Sequence, residues 1–176
     1  SNVSGETEIN ISGGTITKAK GGKYGGAGIG SGSSDTKNDG KKGVVTINIT
    51  GGTITEATGG RNGGAGIGSG YIGNSSKVNI SGDAKLQDVR GGEYAAGIGS
   101  GHGSNKVDVV IDGGTINATG GFNAAGIGSG DNGPSSVTIK SGTVNAASNQ
   151  YSISGSSGIG GSYTDVTISG GTITAT

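Results

Sequence analysis

The chain has 176 residues, of which 44 are glycine and only one is proline, and its formal net charge at pH 7 is zero. The single proline and the absence of a Gly-x-y register exclude a collagen-like triple helix. Because Ile and Val recur at regular positions and only 14% of the residues are charged, simple disorder is also unfavoured. The glycines are therefore expected to have structural roles.

Other function classes are excluded by what the sequence lacks. The absence of cysteine rules out disulfides, thiolate metal sites and cysteine nucleophiles. Phosphate recognition needs clustered Lys or Arg, so the zero net charge argues against nucleic acid and anionic lipid as partners. The chain has no run of about 18 apolar residues, so we expect no membrane insertion. We also expect no metal and no cofactor.

The chain is built from a repeated block in which a Gly-Ile-Gly core is followed by Ile-x-Gly-Gly-Thr or a variant of it. The central Ile of the Gly-Ile-Gly core is Ile29, Ile67, Ile98, Ile127 and Ile159. The Ile before each Gly-Gly-Thr-like segment is Ile11, Ile49, Ile80, Ile111, Ile139 and Ile168. Steps between the latter range from 28 residues (Ile111 to Ile139) to 38 residues (Ile11 to Ile49). A fixed motif order at this period predicts a stacked repeat architecture.

One unit contains three strand signals in chain order. In residues 45–49, Ile47 and Ile49 share one face and alternate with polar residues. In Thr53-Ile54-Thr55, the Ile is predicted to point inward. In residues 65–70, every second residue is Gly, so only the other face carries side chains. Helical periodicity is absent, and the three signals are typical of one coil of a parallel β-helix.

We therefore predict a single all-β domain over residues 1–176, a right-handed parallel β-helix of five to six coils. Each coil would have about 28–38 residues and three short strands. Stacking would place like residues in interior columns, one of them being Ile16, Ile54, Leu86, Ile116, Val144 and Ile173. An alternative geometry divides each unit into two coils of roughly 15 residues. Both termini fall inside the repeat pattern, so we expect the chain to be a segment of a longer protein.

The segment Ile-Ser-Gly-Gly-Thr-Ile followed by Gly-x-Gly-Ile resembles the β-helical carbohydrate-binding domains of secreted clostridial-type bacterial surface proteins. The resemblance covers nearly the whole chain and implies a secreted or cell-surface protein that binds a polysaccharide or cell-surface glycan. That family carries Asp before Gly-Ile, where the carboxylate can help to bind calcium. The matching positions here lack a carboxylate, so a calcium site is not expected; they are Ala27, Ala65, Ala96, Ala125 and Ser157.

Aromatic residues precede the third strand signal at Tyr24, Tyr94 and Phe122, with Asn62 at the equivalent place in the second coil. Charged neighbours accompany them at Lys23, Arg61 and Glu93. Sugar rings stack on aromatic faces while nearby polar groups set their orientation. We therefore predict that these seven residues line an exposed glycan-binding ridge for a neutral polysaccharide. The alternative is that the rings cover the core at a corner.

The second strand signal displays outward Thr in five of the six coils, and Lys85 and Gln87 interrupt the row. A flat Thr-x-Thr face is similar to the ice-binding surfaces of β-helical antifreeze proteins, so ice binding is the rival function. Thr is also a good outward strand residue without any ligand. The predicted ice-binding residues are Thr15, Thr17, Thr53, Thr55, Thr115, Thr143, Thr172 and Thr174.

The bare face of the third strand, which includes Gly66, Gly68, Gly97 and Gly99, has two interpretations. It is either a flat strip that docks a polymer or another sheet, or a place where an overlying segment requires Gly. We accordingly consider end-to-end and sheet-to-sheet self-association.

Catalysis is not expected, because glycoside cleavage needs two carboxylates held about 5 to 10 Å apart. The acidic residues are scattered, and Glu93 with Asp88 is the nearest approach to such a pair. His102, the only histidine, is predicted to be a loop residue. The sequence thus predicts a non-catalytic binding or adhesion module that recognises a carbohydrate polymer, with ice binding as the alternative and a passive structural stalk as the third possibility.

Overall fold

The computed structural model describes residues 6–34, 43–149, 151 and 156–176, and in these residues the regular secondary structure is entirely β. No helix in this part of the chain is long and apolar enough to cross a membrane. The strands are β1 Thr7–Ile16, β2 Ala19–Lys20, β3 Ile29–Gly30, β4 Val44–Ile54, β5 Ala57–Thr58, β6 Ile67–Gly68, β7 Ser75–Arg90, β8 Ile98–Gly99, β9 Val107–Thr119, β10 Ile127–Gly128, β11 Ser135–Ala147, β12 Ile159–Gly160, β13 Thr164–Ile168 and β14 Thr172–Ala175.

The strands form two parallel sheets that wind into a β-solenoid. The large sheet has the order β1-β4-β7-β9-β11-β13, and the small sheet has the order β12-β10-β8-β6-β3. Every strand therefore pairs with the equivalent strand of the next repeat. Four long strands, β4, β7, β9 and β11, have hydrogen-bonded neighbours on both sides, which corresponds to about four turns. The count is slightly lower than the predicted five to six coils.

The register confirms that each repeat is one coil. Ile49 pairs with Ile11 on one side and with Ile80 on the other. The column continues through Ile111, Ile139 and Ile168. Two coils per repeat would have paired segments within one repeat, so the alternative of about 15 residues per coil is wrong.

The long strands of the middle coils continue through segments that contain one or two glycines and bend there, which corrects the prediction of three separate strands. β4 runs through Gly51 and Gly52, and the pairing register shifts between Ile49 and Thr53. Gly52 has a φ of +83°, and a Cβ there would lie 2.7 Å from the carbonyl carbon of Gly13. Glycine at this position therefore allows a bulge-like bend between two strand segments.

The core is a narrow set of aliphatic columns, as predicted. Ile67 pairs with Ile29 and with Ile98 in the small sheet, and both Ile67 and Ile98 are fully buried. The opposite column of Ile16, Ile54, Leu86, Ile116, Val144 and Ile173 is also in register. Burial depends on the neighbouring coils, because Ile139 is 0% exposed whereas Ile168, in the same column, is 50% exposed in β13.

The glycine face of the small sheet is inside the molecule, so of the two interpretations the docking strip is wrong. Gly66, Gly68, Gly97 and Gly99 are buried. A Cβ on Gly97 would lie 2.7 Å from the carbonyl oxygen of Gly126 and 2.8 Å from that of Thr119. The close approach of the large sheet and of the next coil requires glycine here, which was the second interpretation.

We expect the substitution Ile98→Asp to unfold the domain, because an unpaired carboxylate would replace a fully buried side chain between Ile67 and Ile127. Ile98→Val should lower the free energy of unfolding by only about 0.5–1.5 kcal/mol. Thermal unfolding followed by circular dichroism measures both. Gln87→Asp, at an exposed position of β7, is the control and should leave the melting temperature nearly unchanged. A folded, equally stable Ile98→Asp variant would contradict the buried column.

Candidate functional site

The candidate site lies between two rows of turn residues that run across successive coils. The first row lies in the turns before the small sheet and contains Tyr24, Asn62, Glu93, Tyr94 and Phe122. The second row lies in the turns just after the small sheet, directly behind each Gly-Ser-Gly, and contains Tyr71, His102 and Asp131.

Backbone hydrogen bonds hold the two rows side by side. The N–H of Tyr71 donates to the carbonyl of Gly25 at 2.7 Å, and the N–H of His102 donates to the carbonyl of Gly63 at 2.9 Å. The N–H of Asp131 donates to the carbonyl of Tyr94 at 2.8 Å. Each bond joins a second-row residue to the first-row turn of the preceding coil. The space between the rows therefore extends along the solenoid axis.

Glycine in the first row permits this close approach. A Cβ on Gly25 would lie 2.6 Å from the Cβ of Tyr71, and a Cβ on Gly63 would lie 2.7 Å from the Cβ of His102. Both glycines also have positive φ values, +91° and +102°. The glycines therefore bring Tyr71 and His102 against the first row.

Four rings form a continuous chain along the rows. The ring centroids of Tyr71 and His102 are 5.4 Å apart at an interplanar angle of 70°, and those of His102 and Tyr94 are 5.3 Å apart at 52°. Tyr94 and Phe122 continue the chain at 5.6 Å and 88°. These tilted and edge-to-face arrangements are the favourable ones for aromatic pairs. Each ring therefore helps to hold the next in place.

Beside this chain lies an open groove with a volume of about 400 Å³, which we call the aromatic groove. Tyr24 lines it and is 74% exposed, so this ring does not cover the core. The other lining residues are Asn62, Tyr71, Glu93, Tyr94 and His102.

The structure thus brings most residues of the predicted glycan ridge together at the aromatic groove, but it leaves two of them outside the lining. Tyr24, Asn62, Glu93 and Tyr94 line one groove, and Phe122 contacts it through the ring of Tyr94. Two of the predicted residues, Lys23 and Arg61, are exposed and lie outside the lining.

Sequence reasoning missed Tyr71 and treated His102 only as a loop residue. Both occupy the same place in consecutive repeats, directly after Gly-Ser-Gly. That shared position was the available signal, but the meeting of the two rows depends on the winding of the coils.

The backbone of Tyr94 is strained. Its φ is +61°, in the left-handed region that a bulky side chain rarely adopts. Asn123 and Asn132 have similar φ values of 53° and 55°, and asparagine tolerates this conformation better. A left-handed tyrosine costs on the order of 1–2 kcal/mol. Gly25 and Gly63, whose carbonyls accept the equivalent hydrogen bonds in the preceding coils, also have positive φ values. The turn itself therefore imposes the left-handed conformation that Tyr94 adopts.

The charges near the groove are carboxylates with specific partners. Arg61 Nε lies 3.3 Å from Glu93 Oε1, and His102 Nε2 lies 3.8 Å from Asp131 Oδ2. Asp88, which with Glu93 was the nearest approach to an acid pair in the sequence, forms an ion pair with Arg90 at 2.6 Å. Within the described residues, no group of three or more His, Cys, Asp or Glu side chains is placed to hold a metal ion.

A second candidate surface is the row of outward Thr on the large sheet. Thr15, Thr53, Lys85, Thr115, Thr143 and Thr172 pair successively across the coils. The adjacent row is less uniform, because Thr17 and Thr55 follow the ends of β1 and β4, whereas Thr174 lies beside Asn145 within β14. Lys85 therefore interrupts a regular Thr column.

A family model described as beta helix repeat matches residues 9–33, 47–71, 109–131, 137–163 and 166–176, which is more than half of the chain. No curated protein and no solved structure matches this chain. The matched segments omit Glu93, Tyr94 and His102, although the coil that carries them pairs in register with both neighbours.

The strain at Tyr94 predicts an unusual order of stabilities. Tyr94→Gly and Tyr94→Ala both remove the ring, but only glycine adopts a φ of +61° freely, so Tyr94→Gly should be more stable by about 1 kcal/mol. At Gln87, in the strand interior, the Ala variant should instead be more stable than the Gly variant. Urea unfolding of the four variants gives these differences. A Tyr94→Ala variant as stable as Tyr94→Gly would show that the left-handed conformation carries no strain.

Proposed function

This chain belongs to the beta helix repeat family, and we propose that it is a non-catalytic module that binds a carbohydrate polymer in the aromatic groove. We further propose that it acts as an adhesion module, secreted or at a cell surface, as the resemblance of its motifs implies. The proposal rests on the groove and not on the fold, because β-solenoids carry many unrelated functions.

The single observation that carries the proposal is the chain of four rings beside the exposed ring of Tyr24. The centroids of successive rings are 5.3–5.6 Å apart, and the rings of Tyr71, His102 and Tyr94 line the groove and offer apolar surface there. The apolar faces of sugar rings stack on such side chains. Asn62 and Glu93 add hydrogen-bonding groups for hydroxyls in the same groove.

The direction of the groove favours a polymer over a single sugar. Because each hydrogen bond between the rows joins adjacent coils, the groove crosses coils along the solenoid axis. An extended polymer would therefore contact several coils at once. The coils are fixed by in-register sheet pairing, so little conformational freedom would be lost on binding.

The non-catalytic part of the proposal is supported by the carboxylates. Glu93 and Asp88 each have an arginine partner, which favours two separate surface ion pairs over an acid and base acting together on one bond.

The exposed ring of Tyr24 gives the test of carbohydrate binding. Tyr24→Ala should weaken retention on a bound polysaccharide about tenfold, because a stacking surface is lost. The triple variant with Tyr94→Ala and Phe122→Ala should abolish retention. Affinity electrophoresis in gels that contain individual soluble polysaccharides measures this effect.

The matched control is Tyr163→Ala, which removes another exposed tyrosine, 61% exposed and outside the aromatic groove. It should migrate like the wild-type protein. Equal losses in the Tyr24 and Tyr163 variants, or full binding by the triple variant, would refute the proposed site.

Ice binding is the second candidate, and the in-register Thr column favours it. Strands in neighbouring coils are about 4.7–4.9 Å apart, so the hydroxyl and methyl groups of the column form a near-regular array. The interruption at Lys85 weakens this array.

Restoring the column should improve any activity on ice. Lys85→Thr should raise the thermal hysteresis of a concentrated solution, whereas Thr53→Tyr should lower it by holding the face away from the crystal. Thermal hysteresis and ice shaping are measured by nanolitre osmometry. Absence of both in the wild-type protein would exclude ice binding, and failure of the carbohydrate test as well would leave the passive stalk.

A further inference from the structure

We infer that the aromatic groove selects polymers that carry a free amine, a cationic amino sugar, over neutral and acidic polymers. This inference rests on the proposed carbohydrate binding and adds the charge of the preferred sugar. It replaces the neutral polysaccharide expected from the sequence.

The first observation that supports this inference is the charge of the groove. Its lining contains the carboxylate of Glu93 and no lysine or arginine. A second carboxylate, that of Asp131, lies 3.8 Å from Nε2 of the lining residue His102. An acidic sugar would meet like charges at both places, whereas an ammonium group would meet opposite ones. The protein has no net charge, so this preference would be local.

The second observation is that tyrosine rings line the groove. Tyr24, Tyr71 and Tyr94 line the same groove as Glu93. The face of a tyrosine ring attracts a nearby cation through its quadrupole. An amino sugar can therefore stack its apolar face on one ring while its ammonium group interacts with a carboxylate or a second ring. A neutral sugar gains only the stacking.

Arg61 gives this inference a direct test, because it competes for the same carboxylate. Its Nε lies 3.3 Å from Glu93 Oε1, while its side chain is 78% exposed and lies outside the groove lining. An amine in the groove would share Glu93 with Arg61. Removing the guanidinium should therefore strengthen binding of a cationic sugar, and removing the carboxylate should weaken it.

The experiment compares three oligomers of equal length by isothermal titration calorimetry near physiological ionic strength. They are a glucosamine oligomer, its N-acetylated counterpart, which is neutral, and a galacturonic acid oligomer, which is anionic. The titrations are made at a mildly acidic pH, at which most amines of the glucosamine oligomer are protonated and it is cationic. The wild-type protein should bind the glucosamine oligomer at least fivefold more tightly than the N-acetylated one, and the acidic oligomer most weakly.

The variants then change the ratio of the affinities for the cationic and the neutral oligomer. Glu93→Gln should bring this ratio close to one, and Arg61→Gln should raise it above the wild-type value. Asp88→Asn is the control, since it removes an exposed carboxylate that is paired with Arg90 and lies outside the lining. It should leave the ratio unchanged.

The outcomes separate this inference from the proposed function. If the neutral oligomer binds as tightly as the cationic one, the amine preference is refuted and carbohydrate binding stands. If Glu93→Gln and Arg61→Gln change the ratio in the same direction, or not at all, the two residues do not select charge and the inference is refuted. If none of the three oligomers binds, and Tyr24→Ala has no effect on any polysaccharide, both proposals fail.

Discussion

The structure depends on the in-register stacking of each coil on the next. Every long strand pairs in parallel with the same part of the neighbouring repeat, so like residues form columns. The columns bury Ile, Leu and Val almost completely in the middle coils, and the remaining residues of the core are alanines. A coil alone would expose its apolar face, which is the general property of repeat proteins. The same stacking places turn residues of different coils next to one another, and the candidate site arises from those turns.

Glycine makes such a narrow solenoid possible, but its loss of conformational freedom on folding also lowers the stability of the solenoid. The small sheet approaches the large sheet and the next coil so closely that a Cβ on Gly97 would contact backbone atoms on two sides. Glycine loses more conformational freedom on folding than other residues, so a chain with 44 glycines needs a repetitive, well-paired backbone to be stable. At Gly25 and Gly63 the same lack of a side chain admits Tyr71 and His102 to the groove. One residue type thus serves both the fold and the site.

The sequence predicted the columns well because they depend on a local period. Alternation along residues 45–49 and the recurrent Gly-Ile-Gly core were enough to assign Ile49 and Ile67 to the interior and to predict their partners. The joining of two strand segments through Gly51 and Gly52 was not predicted, because Gly-Gly can either end a strand or bend it.

The groove was predicted only in part. Tyr24 and Tyr94 were recognised because both precede the third strand signal, although in the structure Tyr94 occupies the turn position of Gly25 and not that of Tyr24. Tyr71 and His102 reach the groove through the winding of the chain, which no local pattern specifies.

The central claim is that the aromatic groove binds carbohydrate, and His102 offers a direct measurement of it. Because His102 is the only histidine in the sequence and lies between the rings of Tyr71 and Tyr94, its imidazole protons give a single NMR signal set inside the groove. We predict that titration with a soluble oligosaccharide that the protein retains will shift this signal saturably. The same titration of Tyr24→Ala should need a higher oligosaccharide concentration. An unchanged His102 signal while the protein binds the oligosaccharide would place the binding site elsewhere and contradict the account.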